Sequence, residues 1–224
     1  KFLTFIWNCS KQEIFLVKKI KKIMRNISIL SIIILLFACK DDKVLLPVVG
    51  MVIDNLHAPT TSAQNEPPAG KYVKFSFSKQ DTVSGDDWDV AFRATDILIN
   101  GGFKSGSEEP ERTGIGAAHI ATGSYSGTKE APDESLFQQD SQSDTAIPRG
   151  SEKGWYIYDP LKYLISPMPY KVLIIKTHDG KYAKMIIYSY YKDSPESPNA
   201  FTDKSQYYSF AYDYQPNEGL RTFE

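Results

Sequence analysis

Cysteine is almost missing: two residues in 224, Cys9 and Cys39, cannot build a disulfide framework. Three histidines and four methionines leave few soft metal ligands. No charge of one sign dominates, with 26 Lys and Arg against 27 Asp and Glu, so the basic field that nucleic-acid binding requires is absent. Thirteen Pro and 14 Gly are too few and scattered for a collagenous or low-complexity chain, and 42% hydrophobic residues are too many for wholesale disorder. The apolar run from Ile27 to Phe37 stops short of the roughly 20 residues of a membrane-spanning helix. The phosphate-binding Gly-x-x-x-x-Gly-Lys-Ser/Thr, the metalloprotease His-Glu-x-x-His, the hydrolase Gly-x-Ser-x-Gly and paired-Cys motifs are all missing, which leaves no enzyme signature to build on. What the chain has is aromatics, 14 Tyr and 12 Phe, residues that suit the half-buried surface of a sheet.

The N-terminal apolar run has the length of a signal-peptide core. Lys18, Lys19, Lys21, Lys22 and Arg25 precede it, and Leu36-Phe37-Ala38-Cys39 closes it in the manner of a bacterial lipobox. Such a segment is cut before its cysteine, so Cys39 is the expected lipidation site, and several acyl chains on one residue suffice for stable anchoring. Lys40-Asp41-Asp42 resembles the export signal of surface lipoproteins in the Bacteroidetes. The expected organisation is a spurious or untranslated extension over 1–23, with translation beginning at Met24, a signal peptide over 24–38, a lipidated tether over 39–70 and a β domain over 71–224. After cleavage the charge falls to about −7 by counting ionised side chains, which repels phosphate backbones. Cys39 is then the one remaining cysteine, so the domain must rely on its core.

That domain reads as strands. An early strand is expected within the tether at Val48 to Asp54. Val73, Phe75 and Phe77 alternate with polar residues, and Trp88, Val90 and Phe92 alternate with Asp89, Ala91 and Arg93, the period of a half-buried strand. Ile97 to Ile99 is a short third strand stopped by Asn100-Gly101-Gly102, and Gly116 to Ala121 is a small-residue strand. Lys171 to Thr177 is a continuous apolar run, as expected of a strand covered on both faces; His178-Asp179-Gly180 turns it, and Tyr182 to Tyr191 returns. Tyr208, Phe210, Tyr212 and Tyr214 place four aromatics on one face of a last strand. From Thr128 to Gly154 the chain is polar, with Leu136 and Phe137 its only apparent anchors. No long 3.6-residue pattern follows Cys39, so the fold class is all-β: a predominantly antiparallel, sandwich-like single domain with few short helices.

Chemistry-bearing residues are sparse. His57 lies in the tether, and His178 beside Asp179 reads as a solvated turn residue. His119 stands among Ala117, Ala118 and Ala121, where a planar ligand could approach closely. Asp86, Asp87 and Asp89 lack the spacing and closing carboxylate of a calcium loop and read as solvated turn and edge residues.

The segment Asp87-Trp88-Asp89-Val90-Ala91-Phe92-Arg93, followed by Asp96 and Asn100-Gly101-Gly102, resembles the opening motif of the HmuY-like haem-binding lipoproteins of Bacteroidetes. Gly154-Trp155-Tyr156, the stretch from Lys171 to Lys184 and the strand from Tyr207 to Tyr214 match the same family in order. The resemblance implies a non-catalytic β protein anchored in the outer membrane and facing the cell exterior. It also implies that haem or a related porphyrin is bound for iron acquisition, in exchange with an outer-membrane receptor or host haemoproteins. In that family two axial side chains, His or Met, hold the iron, one before the Gly-Trp block and one closely after it. This chain departs from the pattern, with neither His nor Met between Thr128 and Gly154. The candidate ligands are His119, Tyr163 and Met168. A second expectation follows from the missing pair: a surface adhesion or assembly lipoprotein of the same fold that lacks axial haem ligation.

Overall fold

The computed structural model describes residue 21 and residues 44–63 and 66–224. The expected signal segment and Cys39 lie outside the described residues. Among those described, no helix is long and apolar enough to cross a membrane.

Leu45 to Glu224 form one unit built on two antiparallel sheets. The larger contains β1 (Val49–His57), β6 (Ala117–Thr122), β9 (Lys171–Lys176), β10 (Tyr182–Tyr191) and β11 (Ser205–Gln215), in the order β1-β11-β10-β9-β6. The smaller contains β2 (Val73–Ser76), β3 (Asp81–Thr82), β4 (Val90–Arg93) and β5 (Asp96–Ile99), in the order β3-β2-β4-β5. A separate hairpin pairs β7 (Tyr156–Asp159) with β8 (Leu164–Pro167), and a single 3-10 turn covers Glu134–Leu136. The all-β reading holds. The early strand is longer than expected: β1 pairs with β11 from Val49↔Tyr214 to His57↔Tyr207, across a bulge at Asn55, so it belongs to the sheet rather than to a free tether.

The facing surfaces of the two sheets make the main core. The aromatic face of β11 supplies Tyr208, Phe210, Tyr212 and Tyr214, which meet Phe75, Phe77 and Phe92 from the smaller sheet and its β2–β3 turn. Phe75 and Phe210 pack edge-to-face at 5.5 Å and Phe92 tilts onto Tyr208 at 4.8 Å, contacts worth about 0.5–1.5 kcal/mol each beyond area burial. Tyrosine stands at two of these positions because each hydroxyl donates across the core, Tyr208 to the Ala94 carbonyl at 2.7 Å and Tyr212 to the Phe77 carbonyl at 3.2 Å. Phenylalanine would leave those carbonyls short of a donor.

Strand β9 is covered on both faces, as its unbroken apolar run requires. Leu173 and Ile175 enter the main core, while Val172 and Ile174 join a second cluster with Ala131, Tyr182 and Phe223. A third cluster, on the outer face of the smaller sheet, corrects the reading of Trp88. Strand β4 starts only at Val90, so the alternation does not reach back to Trp88, which is buried with Tyr72, Ala91 and Leu98 rather than with Val90 and Phe92.

Candidate functional site

The chain after Gly154-Trp155 forms the β7–β8 hairpin, whose Tyr156, Leu164 and Ile165 pack against the main core while its tip stays exposed. Trp155 anchors its base: the indole N–H donates to the Thr95 carbonyl at 2.9 Å, and the ring packs on Tyr190 and Tyr208. On the other arm the Met168 N–H donates to the Trp155 carbonyl at 2.8 Å, and the Ile165 N–H donates to the Tyr191 hydroxyl at 3.0 Å. The tip projects into solvent. Leu161 is 90% exposed, and Tyr163 packs edge-to-face against Phe201, itself 78% exposed, with ring centroids 5.8 Å apart. Tyr163 has φ +60°, a left-handed conformation unfavourable for a bulky side chain. With exposed Tyr158 these residues form an apolar and aromatic surface at one end of the molecule. Local sequence gave little warning of it, because the arms are four residues long and Pro160 and Pro167 obscure any alternation.

The three expected ligands are distributed over this frame and do not converge. Tyr163 sits at the hairpin tip and half-buried Met168 at its base, five residues or roughly 16 Å of strand apart. His119 lies on β6, opposite Ile174 of β9, which in turn pairs with Lys184 of β10. The hairpin meets β10 at Tyr191, seven residues from Lys184 and roughly 23 Å along the strand. His119 also faces the second cluster, 6.4 Å from the Phe137 ring, whereas Trp155 at the hairpin base belongs to the main core. Strand register therefore spreads the three over the hairpin tip, the hairpin base and the opposite part of the larger sheet. Each remains chemically competent by itself. The His119 Nδ1–H donates to the Leu136 carbonyl at 3.2 Å, which leaves the Nε2 lone pair free in the neutral ring. Among the described residues no group of three or more His, Cys, Asp and Glu side chains is arranged to hold a metal ion.

The polar motif residues serve the scaffold. Asp89, read from sequence as solvated, is 1% exposed: one oxygen accepts from the Phe77 N–H at 2.8 Å, the other from the His178 N–H at 3.0 Å and its Nδ1–H at 2.7 Å. His178 is therefore a clamp between the smaller sheet and the β9–β10 turn, not a free turn residue. Its hydrogen bond to Asp89, reinforced by the charge of that carboxylate and those of Asp179 and Asp87, raises its pKa despite partial burial. Buried Asn100 spends all its capacity in the same region. Its amide donates to the Asp86 and Trp88 carbonyls, each at 2.9 Å, and its oxygen accepts from the Thr113 and Gly114 N–H groups. Gly101 and Gly102 follow because a Cβ at either would overlap the backbone carbonyl of Gly116 or Asp140, and Gly102 also has φ +81°.

The family model for the HmuY protein matches residues 69–212. The chain belongs to the HmuY family. The separated motif blocks of this HmuY-family chain thus meet in space, since Asp89 and Asn100 come from one and His178 from another. Among solved structures the chain is similar to an apo HmuY analogue from Tannerella forsythia, with 16% identity, TM-score 0.42, and 80% of this chain and 100% of that one covered. It is also similar to a candidate HmuY-like haem-binding protein from Bacteroides vulgatus ATCC 8482, with 14% identity, TM-score 0.43, and coverage of 76% and 93%. A candidate lipoprotein from Bacteroides fragilis NCTC 9343 matches with 16% identity, TM-score 0.41, and coverage of 65% and 85%. No curated protein matches the chain.

Proposed function

We propose that this HmuY-family chain is a non-catalytic lipoprotein, anchored through Cys39 in the outer membrane and facing outward, that binds haem or a related porphyrin for iron acquisition. Membership of the family supports the ligand class, and the exposed β7–β8 hairpin is the observation that carries the site. A tetrapyrrole is a flat apolar ring with acidic edges. Leu161, Tyr158 and Phe201 offer a surface that would cover such a ring and exclude water from it.

The residues fit one axial ligand, and they do not fit the two-ligand clamp of the family pattern. Haem iron, when bound, supplies a Lewis-acid centre that takes a phenolate, thioether or imidazole donor. Tyr163 or Met168 would donate from the hairpin, and His119 Nε2 from the far face of the larger sheet. An outer-membrane haem receptor and host haemoproteins are the partners that this role requires.

The test is a visible absorption titration of the full chain with haemin, oxidised and reduced, repeated for His119→Ala, Tyr163→Phe and Met168→Ala. Loss of a saturable Soret shift in one variant names the ligand. A shift that none of the three alters rejects all three as ligands. The separation of His119 from the hairpin favours a second reading, a surface adhesion or assembly lipoprotein without axial ligation. That reading predicts spectra indistinguishable from haemin in buffer for all four proteins.

A further inference from the structure

The two ends of the larger sheet carry different exposed apolar groups. At the end opposite the hairpin, Leu45 and Leu46 lead into β1 and are 63% and 58% exposed. Their backbone is nevertheless fixed to the body: the Leu46 N–H donates to Asn217 Oδ1 at 2.9 Å, and Asn217 Nδ2 donates to the Leu46 carbonyl at 2.7 Å. Asn217 follows the last residue of β11 by two positions, and β1 begins opposite Tyr214, so both leucines are held at this rim. Exposed Ile115 shares the rim, because its N–H donates to the carbonyl of His178 in the β9–β10 turn at 2.9 Å. The hairpin and Phe201 lie at the other rim, separated by the ten-residue rise of β11 from Gln215 to Ser205, roughly 33 Å.

Five residues separate Cys39 from Leu45, six Cα-to-Cα steps or at most about 21 Å fully extended. A lipid chain on Cys39 would therefore keep the rim of Leu45 and Leu46 close to the bilayer surface. Two exposed leucines beside a backbone hydrogen-bonded to Asn217 are suited to insert among headgroups and upper acyl chains. We propose that this rim is a lipid-contacting surface: Leu45 and Leu46 rest in the outer face of the bilayer and orient the domain so that the β7–β8 hairpin points away from the membrane. The inference rests on lipidation at Cys39.

Site-specific quenching tests it on the lipidated full-length product reconstituted in vesicles of phosphatidylethanolamine and phosphatidylglycerol. A bimane label is placed at Leu45→Cys or, separately, at Phe201→Cys; both side chains are exposed, and Phe201 meets Tyr163 at the surface, so neither change disturbs the core. With a shallow nitroxide lipid in the vesicles, quenching at position 45 should exceed that at position 201 by at least about threefold, as expected of an interfacial residue compared with one beyond headgroup reach. Flotation of the same vesicles separates the two assumptions. A chain that fails to float overturns the anchor and the orientation together. A chain that floats but shows equal quenching, or stronger quenching at position 201, overturns the orientation alone.

Discussion

Replacing Asp140 with alanine should remove about 4–6 kcal/mol of stability, although the residue lies in a polar connection between strands. Its carboxylate, with the side chain 1% exposed, accepts from the Ile99 N–H at 3.0 Å, the Ala146 N–H at 2.8 Å, and Arg112 Nε and a terminal guanidinium nitrogen at 3.2 and 2.9 Å. Alanine leaves two buried N–H groups without an acceptor, at about 1–3 kcal/mol each. It also leaves the Arg112 guanidinium, 2% exposed, with Glu109 as its remaining carboxylate; removing one partner of a buried pair costs about 3–5 kcal/mol, and these terms overlap. Against a total of about 5–15 kcal/mol for a domain, this brings the fold near its limit. Urea unfolding followed by tryptophan fluorescence is the assay: with a slope of about 2 kcal/mol/M, the midpoint should fall by about 2–3 M with the slope unchanged. Asp140→Asn, which retains an acceptor for one N–H, should fall between the two. A loss below about 1 kcal/mol for alanine would refute the claim that this carboxylate fastens the loop to β5.

Three further outcomes follow from the packing. The pKa of His178 is raised by Asp89, so its stabilising effect is complete below the unfolded value near 6.5 and is lost as pH rises through the higher folded value; His178→Gln should flatten that part of the stability profile measured by thermal unfolding. Gly102→Ala should destabilise the fold by at least about 1–3 kcal/mol in urea, because the added methyl meets the Asp140 carbonyl at a positive φ. Phe210→Ala, which empties the centre of the aromatic core, should cost about 3–5 kcal/mol by the same measurement, whereas Phe201→Ala on the surface should change stability by less than about 0.5 kcal/mol.

Regular elements with strong patterning were legible from sequence, and contacts between distant loops were not. The unbroken run of β9 and the aromatic face of β11 each report burial directly, and both lie in the core as their periods require. The alternation of Trp88 with Val90 and Phe92 points to one shared face, but it crosses the start of β4, and Trp88 packs on the outer face instead. The Asp89–His178 clamp spans 89 positions, and nothing in either neighbourhood distinguishes a buried acceptor from a solvated turn acid. The same holds for Arg112, Glu109 and Asp140, whose mutual burial depends on two irregular loops closing over the smaller sheet. For the candidate site, the residue types could be nominated, but the distances between them depend on strand register, and register separates His119 from the hairpin.

Whether this chain holds a tetrapyrrole is decided by equilibrium titration of the purified full chain with haemin at neutral pH, followed at the Soret band and by quenching of tryptophan fluorescence. Haem binding at the hairpin gives saturation at one haemin per chain, with quenching that tracks the absorption change because Trp155 sits at the base of the hairpin. Non-saturable uptake, with a Soret band matching haemin in buffer, would contradict it.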